Sequence, residues 1–205
     1  MKVVIVTGGI GSGKSVACRY IHAKYGWPIY EADVRVKELY DEHPRLLSDI
    51  EHYLDLSLRD QNGRFVPQML AEVIFSDSKA LSNVEDLVFA VLTEDFDQWK
   101  SARSDSEYVI LESATILAKP QLKGLGDLIV LIDAPVDLRA ERASERSGVT
   151  LESVARRMDS QSYMNDISNG TVESPTEFMI LNTGSISEFE EKIDNLVGKI
   201  MQQKC

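Results

Sequence analysis

Cysteine is almost missing from this chain: Cys18 and Cys205 are the only two. Two thiols, one of them inside a helical stretch, make no disulfide framework, so a reducing, cytosolic compartment is expected. Long apolar runs are missing too, and none approaches the roughly 20 residues that a membrane-spanning helix needs. Strand-like residues begin at Lys2, so no signal peptide is expected. A cytoplasmic protein without a membrane partner is the expectation. Positive charge is in deficit: 22 Lys and Arg stand against 33 Asp and Glu, for a net charge of −11. Such a chain is a poor non-specific partner for nucleic acid or anionic lipid. An anionic substrate would require its cations to be gathered locally. His22, His43 and His52 have no metal-ligand spacing and are expected at the surface. Oligomeric state leaves no trace in the sequence.

What is present is concentrated near the start. Gly8 to Ser15 reads GGIGSGKS and fits the phosphate-loop pattern G-x-x-x-x-G-K-S at Gly8, Gly13, Lys14 and Ser15. The context agrees. Lys2 to Thr7 is apolar and β-branched, as in a buried parallel strand, and Ser15 to Lys24 reads as a helix. Glycines let successive N–H groups converge on one anion, and the helix start adds partial positive charge. Gly9, Gly11, Ser12, Gly13, Lys14, Ser15 and Val16 are therefore the candidates to hold a nucleotide. Lys14 would reach the β- and γ-phosphates, and the Ser15 hydroxyl would hold Mg²⁺. A GTP-dependent switch would need a guanine-reading Asn-Lys-x-Asp after a strand, and the sequence has none. Asp60-x-x-Gly63 has the letters of a switch motif but follows no apolar strand.

Further apolar strands are expected at Pro28–Tyr30, Tyr108–Leu111, Asp127–Ile132 and Phe178–Leu181. Helical patterns fall at Val34–Tyr40, Leu81–Phe96, Val136–Arg146, Thr150–Gln161 and Ile186–Ile200. Strands alternating with helices predict an α/β fold with a parallel five-stranded sheet in a three-layer P-loop NTPase sandwich. Its core would comprise about 1–33, 105–138 and 176–205, with a helical substrate-binding insertion at about 34–104 and an Arg-rich lid at about 139–170. Ligands bind beyond the carboxyl ends of such strands, so Gly8–Ser15, Glu31–Asp33, Glu112-Ser113, Asp133–Pro135 and Asn182–Gly184 should converge.

Several of these residues carry chemistry. Asp33, just past the second strand, is a candidate general base for an acceptor hydroxyl; its other reading is an N-cap of the helix at Val34. Arg139, Arg142 and Arg146 recur at i, i+3 and i+7, one face of a helix, with Arg156 and Arg157 on the next. The anion that gathers them is either a triphosphate or the nearby Asp137, Glu141 and Glu145. Their helix pair, jointed near Gly148, suits a lid that keeps water from taking the phosphoryl group. Glu112 would orient Mg²⁺ through water, contact the acceptor, or simply face a helix start. Asn182 and Gly184 read as a turn. Cys18, Trp27 and Trp99 read as packing residues.

Five stretches together resemble the dephospho-CoA kinase family: VTGGIGSGKS (Val6–Ser15), YEADVRV (Tyr30–Val36), LAEVIFSD (Leu70–Asp77), IDAPVDLRAERASERSGVTLESVARRMDSQ (Ile132–Gln161) and ILNTGS (Ile180–Ser185). The resemblance implies ATP-dependent phosphorylation of the ribose 3′-hydroxyl of dephospho-CoA, with ATP and Mg²⁺ as cofactors. By it Asp33 matches the family's base, and Lys14, Arg142 and Arg146 act on the phosphates. Arg157 and Gln161 belong to the lid-closing segment, and Asn182 lies near adenine. The chain departs from the family pattern on the acceptor side. Glu31 replaces an Asp, Pro67 an Arg, and Phe89-Ala90 a His-Pro, and an acidic residue is lost within Thr115–Lys119. A nucleoside monophosphate kinase, another small-metabolite kinase, or a nucleotide-binding protein of low activity is the alternative.

Overall fold

A computed structural model describes residues 1–116, 124–159 and 176–203, without the side chains of Ser147 and Arg157. The chain divides into two compact units: Met1–Glu31 with Asp105–Cys205, and Ala32–Ser104.

The first unit holds a parallel sheet of β1 (Lys2–Thr7), β2 (Ile29–Glu31), β3 (Tyr108–Glu112), β4 (Leu128–Asp133) and β5 (Phe178–Leu181), in the order β2-β3-β1-β4-β5. Registers align the strand ends: Val6 lies opposite Glu112, Glu31 opposite Glu112, Thr7 opposite Leu131, and Asp133 opposite Leu181. The loop after β1 therefore sits centrally among the carboxyl ends. Val3 to Val6 and Val109 to Leu111 are buried without a gap, as strands covered on both faces should be. Helices α1 (Lys14–Tyr25) and α8 (Ile186–Gln202) share one core with the sheet, in which Val4, Val6, Ile21, Ile110, Phe189 and Ile193 interlock. Trp27 stacks on Tyr108 at 4.5 Å and Cys18 is fully buried, so both are packing residues. Helices α6 (Val136–Ser147) and α7 (Leu151–Asp159) meet through Ala143, Val154 and Met158, with Ile10 of the glycine loop packed against that cluster. Gly148 ends α6 in the left-handed conformation at φ 63°.

Far from the loop, α1 and α8 are fastened together. Asp194 accepts hydrogen bonds from Tyr25 (2.7 Å), Tyr20 (3.0 Å) and Lys24 (2.7 Å).

The second unit consists of α2 (Ala32–Glu42), α3 (Leu46–Leu54), α4 (Pro67–Ser76) and α5 (Ser78–Ser101), with α2, α3 and α4 each packed on α5. Val84, Val88, Leu92 and Phe96 form the buried stripe of α5, the spacing expected of an amphipathic helix. Asp77 caps it by accepting from the backbone of Lys79 and Ala80. The start of α2 corrects the sequence reading. The helix begins at Ala32, so Asp33 lies inside its first turn and is no N-cap. Pro67 opens α4 at the N1 position, where a missing N–H costs nothing. Arg35 binds Asp95 of α5 through two hydrogen bonds of 2.9 and 2.8 Å, tying α2 to α5 just past Asp33. No helix among the described residues is long and apolar enough to cross a membrane.

Candidate active site

The chain leaves β1 at Thr7, curls through Gly8–Gly13 and enters α1 at Lys14. The curl is closed by the Ser12 N–H donating to the Gly9 carbonyl at 3.1 Å. Gly13 precedes the helix at φ 101°, a conformation that side chains rarely tolerate. A Cβ there would also collide with the Asn182 side-chain amide. The N-terminus of a helix and a concave run of N–H groups thus meet at one point, which favours an anion.

Two groups of that point are already engaged. Ser15 Oγ donates to Glu112 Oε1 at 2.5 Å, and Lys14 Nζ lies 3.3 Å from the same oxygen. The side chains of Lys14 and Glu112 are only 14 % and 8 % exposed, so the pair is weakly screened. Glu112 ends β3, beside β1 in the sheet, and strand order alone brings it to the helix start. Burial, with Glu112 beside it, pushes the Cys18 thiol well up, so it is no nucleophile.

The turn after β5 closes the other side of the loop. The Asn182 N–H donates to the Asp133 carbonyl at 2.7 Å, and its side-chain amide donates to the Ser12 carbonyl at 2.9 Å. Arg142 Nη1 donates to the Asn182 carbonyl at 3.1 Å. Asn182 is therefore more than a turn residue: it joins the loop, β4 and α6.

The arginines do not behave as one face. Arg139 is fully buried, 3.4 Å from Asp133 Oδ1 through Nη1, while Arg142 is half-buried and Arg146 exposed in the last turn of α6. Helical spacing brings three side chains to one stripe, but the first turn of α6 lies under the loop and its last turn does not. Asp133 and Arg139 were each expected near the site, but not as a buried pair. Their signal was a carboxylate ending a buried strand, six residues ahead of an arginine on the following helix. Arg156 is exposed on α7; the Arg157 side chain, Gln161, Lys119 and the part of the expected lid beyond Asp159 lie outside the described residues.

Gly9 and Ser12 are buried, Gly11, Gly13, Lys14 and Ser15 partly so, and Val16 is 37 % exposed. Asp33 is exposed on α2, in the helical unit. Phe89 and Ala90 lie on α5 and Pro67 on α4, in that unit as well. Among the described residues no group of three His, Cys, Asp or Glu could by itself hold a metal ion.

A family profile described as dephospho-CoA kinase matches residues 2–188. A dephospho-CoA kinase of Porphyromonas gingivalis is 36 % identical over 161 residues, 78 % of each chain. One from Chlorobium chlorochromatii is 30 % identical over 98 % of this chain and 94 % of its own. Among solved structures, a Thermus thermophilus protein superposes with a TM-score of 0.77 at 23 % identity, covering 97 % of both chains.

Proposed function

The chain belongs to the dephospho-CoA kinase family, and from that premise we propose that it transfers the γ-phosphoryl group of ATP to the ribose 3′-hydroxyl of dephospho-CoA. The products are coenzyme A and ADP. The observation that carries the reading is the cluster of Lys14, Ser15 and Glu112 at the mouth of a glycine loop that opens a helix.

In the transfer the acceptor oxygen forms a bond to the γ-phosphorus as the bond from that phosphorus to the β,γ-bridging oxygen breaks. The leaving group is ADP. Asp33 takes the hydroxyl proton as the oxygen attacks. The loop N–H groups from Gly9 to Ser15 and the α1 terminus hold the phosphates. Lys14 exchanges its partner Glu112 for phosphate oxygens, and Arg142 and Arg146 meet the charge that spreads over the transferring group. Asn182 keeps the loop in register with β4 and lies at the adenine side.

Mg²⁺ fits the same cluster. The half-buried Ser15 hydroxyl and the buried Glu112 carboxylate place two hard oxygen donors side by side, the ligand type this ion selects. When bound it neutralises phosphate charge. The helical unit takes the acceptor, with Pro67, Phe89 and Ala90 as its altered positions, and the reaction runs in the cytoplasm.

The test is ADP release from ATP and Mg²⁺ with and without dephospho-CoA, the product being identified by mass. Stimulation with formation of coenzyme A is expected. Stimulation only by another acceptor, such as a nucleoside monophosphate, would refute the substrate assignment.

A further inference from the structure

Arg139 has no part in the transfer just described, yet it is the largest fully buried side chain among the described residues. A guanidinium stays charged at any physiological pH, and taking it out of water is costly unless its surroundings compensate. On one side stands Asp133, 7 % exposed at the end of β4, with Oδ1 3.4 Å from Nη1. On another side stands the phosphate loop. A Cβ placed on Gly9 would lie 2.8 Å from the Arg139 Cζ and Nη1 and 3.0 Å from Nη2. A Cβ on Gly11 would collide with the Arg139 carbonyl. Two loop glycines are thus empty of side chain where this one residue fills the space.

We propose that Arg139 is a positioning residue of the nucleotide site. Its guanidinium is a fixed, water-excluded cation lodged behind Gly9–Gly11. It props the loop in its phosphate-cradling curve and favours negative charge on the loop's open side. This rests on the reading of the loop as an ATP site. Being sealed from solvent, Arg139 touches no phosphate and acts through the backbone in between. Its field is weakly screened for the same reason, so its effect should persist at high salt. The pair it forms with Asp133 is polar in a definite sense, with the cation against the loop and the anion at the strand end.

The experiment is calorimetric titration of ADP, without metal and at two salt concentrations, on the wild type, R139M, R139K and D133N, with melting temperatures alongside. R139M should bind ADP roughly tenfold or more weakly, and R139K should regain most of that loss. D133N carries the deciding sign. If the charge matters, removing the anion behind the loop leaves ADP affinity equal or raised by a few-fold, even where the melting temperature falls. A pair that only props the fold would lower affinity in D133N together with stability. Wild-type affinity in R139M, or an ADP affinity in D133N reduced several-fold, overturns the proposal. Should R139M fail to fold, R139K and D133N decide it by the same signs. A wild-type chain that failed to bind ADP would instead overturn the kinase reading itself.

Discussion

Replacing Lys14 with alanine should weaken nucleotide binding, and a second substitution should return much of the loss. At 3.3 Å from Glu112 Oε1, Lys14 is attracted to that carboxylate by about 5 kcal/mol at an effective dielectric near 20. The same carboxylate is 8 % exposed, so deleting the lysine leaves a buried anion whose countercharge is gone, though the Ser15 hydroxyl still donates to it. Phosphates entering the loop then lose the attraction of the lysine and meet the repulsion of Glu112 uncompensated. Each is on the order of 2 kcal/mol, and the lost attraction weakens metal-free ADP roughly thirtyfold. In Lys14→Ala/Glu112→Gln the repulsion is gone, while glutamine still accepts from Ser15. That variant should bind ADP roughly thirtyfold more tightly than Lys14→Ala alone. It should also melt at a higher temperature than the single variant, because the unpaired buried charge has been removed. Calorimetry in EDTA reads the affinities, and leaving out the metal removes any part Glu112 has in holding Mg²⁺. A double variant that binds ADP no better than Lys14→Ala would refute this reasoning.

Asp33→Asn should lower turnover at least a hundredfold while ATP affinity and melting temperature stay unchanged; an active variant in a steady-state assay would remove Asp33 as the base. Arg142→Ala should reduce kcat more than it weakens ATP binding, and a change confined to KM would contradict its action on transition-state charge. Burial alone would raise the Asp194 carboxyl, but hydrogen bonds from Lys24, Tyr25 and Tyr20 outweigh it and hold the group below its ordinary value. Its folded pKa is depressed, so its contribution to stability is full above the unfolded value of about 3.9 and is lost as pH falls through the folded one. Thermal melts of Asp194→Asn should accordingly lose less stability than the wild type between about pH 4 and pH 2, and parallel curves would disprove the linkage.

The sheet was legible because its strands announce themselves. Lys2–Thr7, Tyr108–Glu112 and Leu128–Asp133 are short β-branched and apolar runs, and each ends in residues that turn the chain. The loop was legible because its chemistry demands particular residue types at fixed spacing. The full strand order was not; Glu112 was expected near the loop, and its contact with Ser15 and Lys14 follows from β3 lying beside β1. The arginines of α6 show the other limit. Their spacing defines a stripe on a bare helix, whereas tertiary packing buries Arg139 and leaves Arg146 in water. Pro67, read only as a departure from the family pattern, is the first residue of α4, where proline suits a helix start.

The fastening of the phosphate loop by Asn182 and of α1 by Asp194 bears on how the protein is made. Asn182 holds Ser12 across 170 residues and Asp194 holds Tyr20 across 174. On a ribosome adding about 5–20 residues per second, residues near Ser12 wait on the order of ten seconds before the partners that complete their surroundings have been synthesised. The nascent chain can curl its glycines early, but it cannot lock them. Contacts of such span slow folding, because loop closure precedes any reward. Competence to grip a nucleotide is therefore a late event in synthesis, and a nascent chain stalled before Asn182 would carry the signature letters of the loop without its grip.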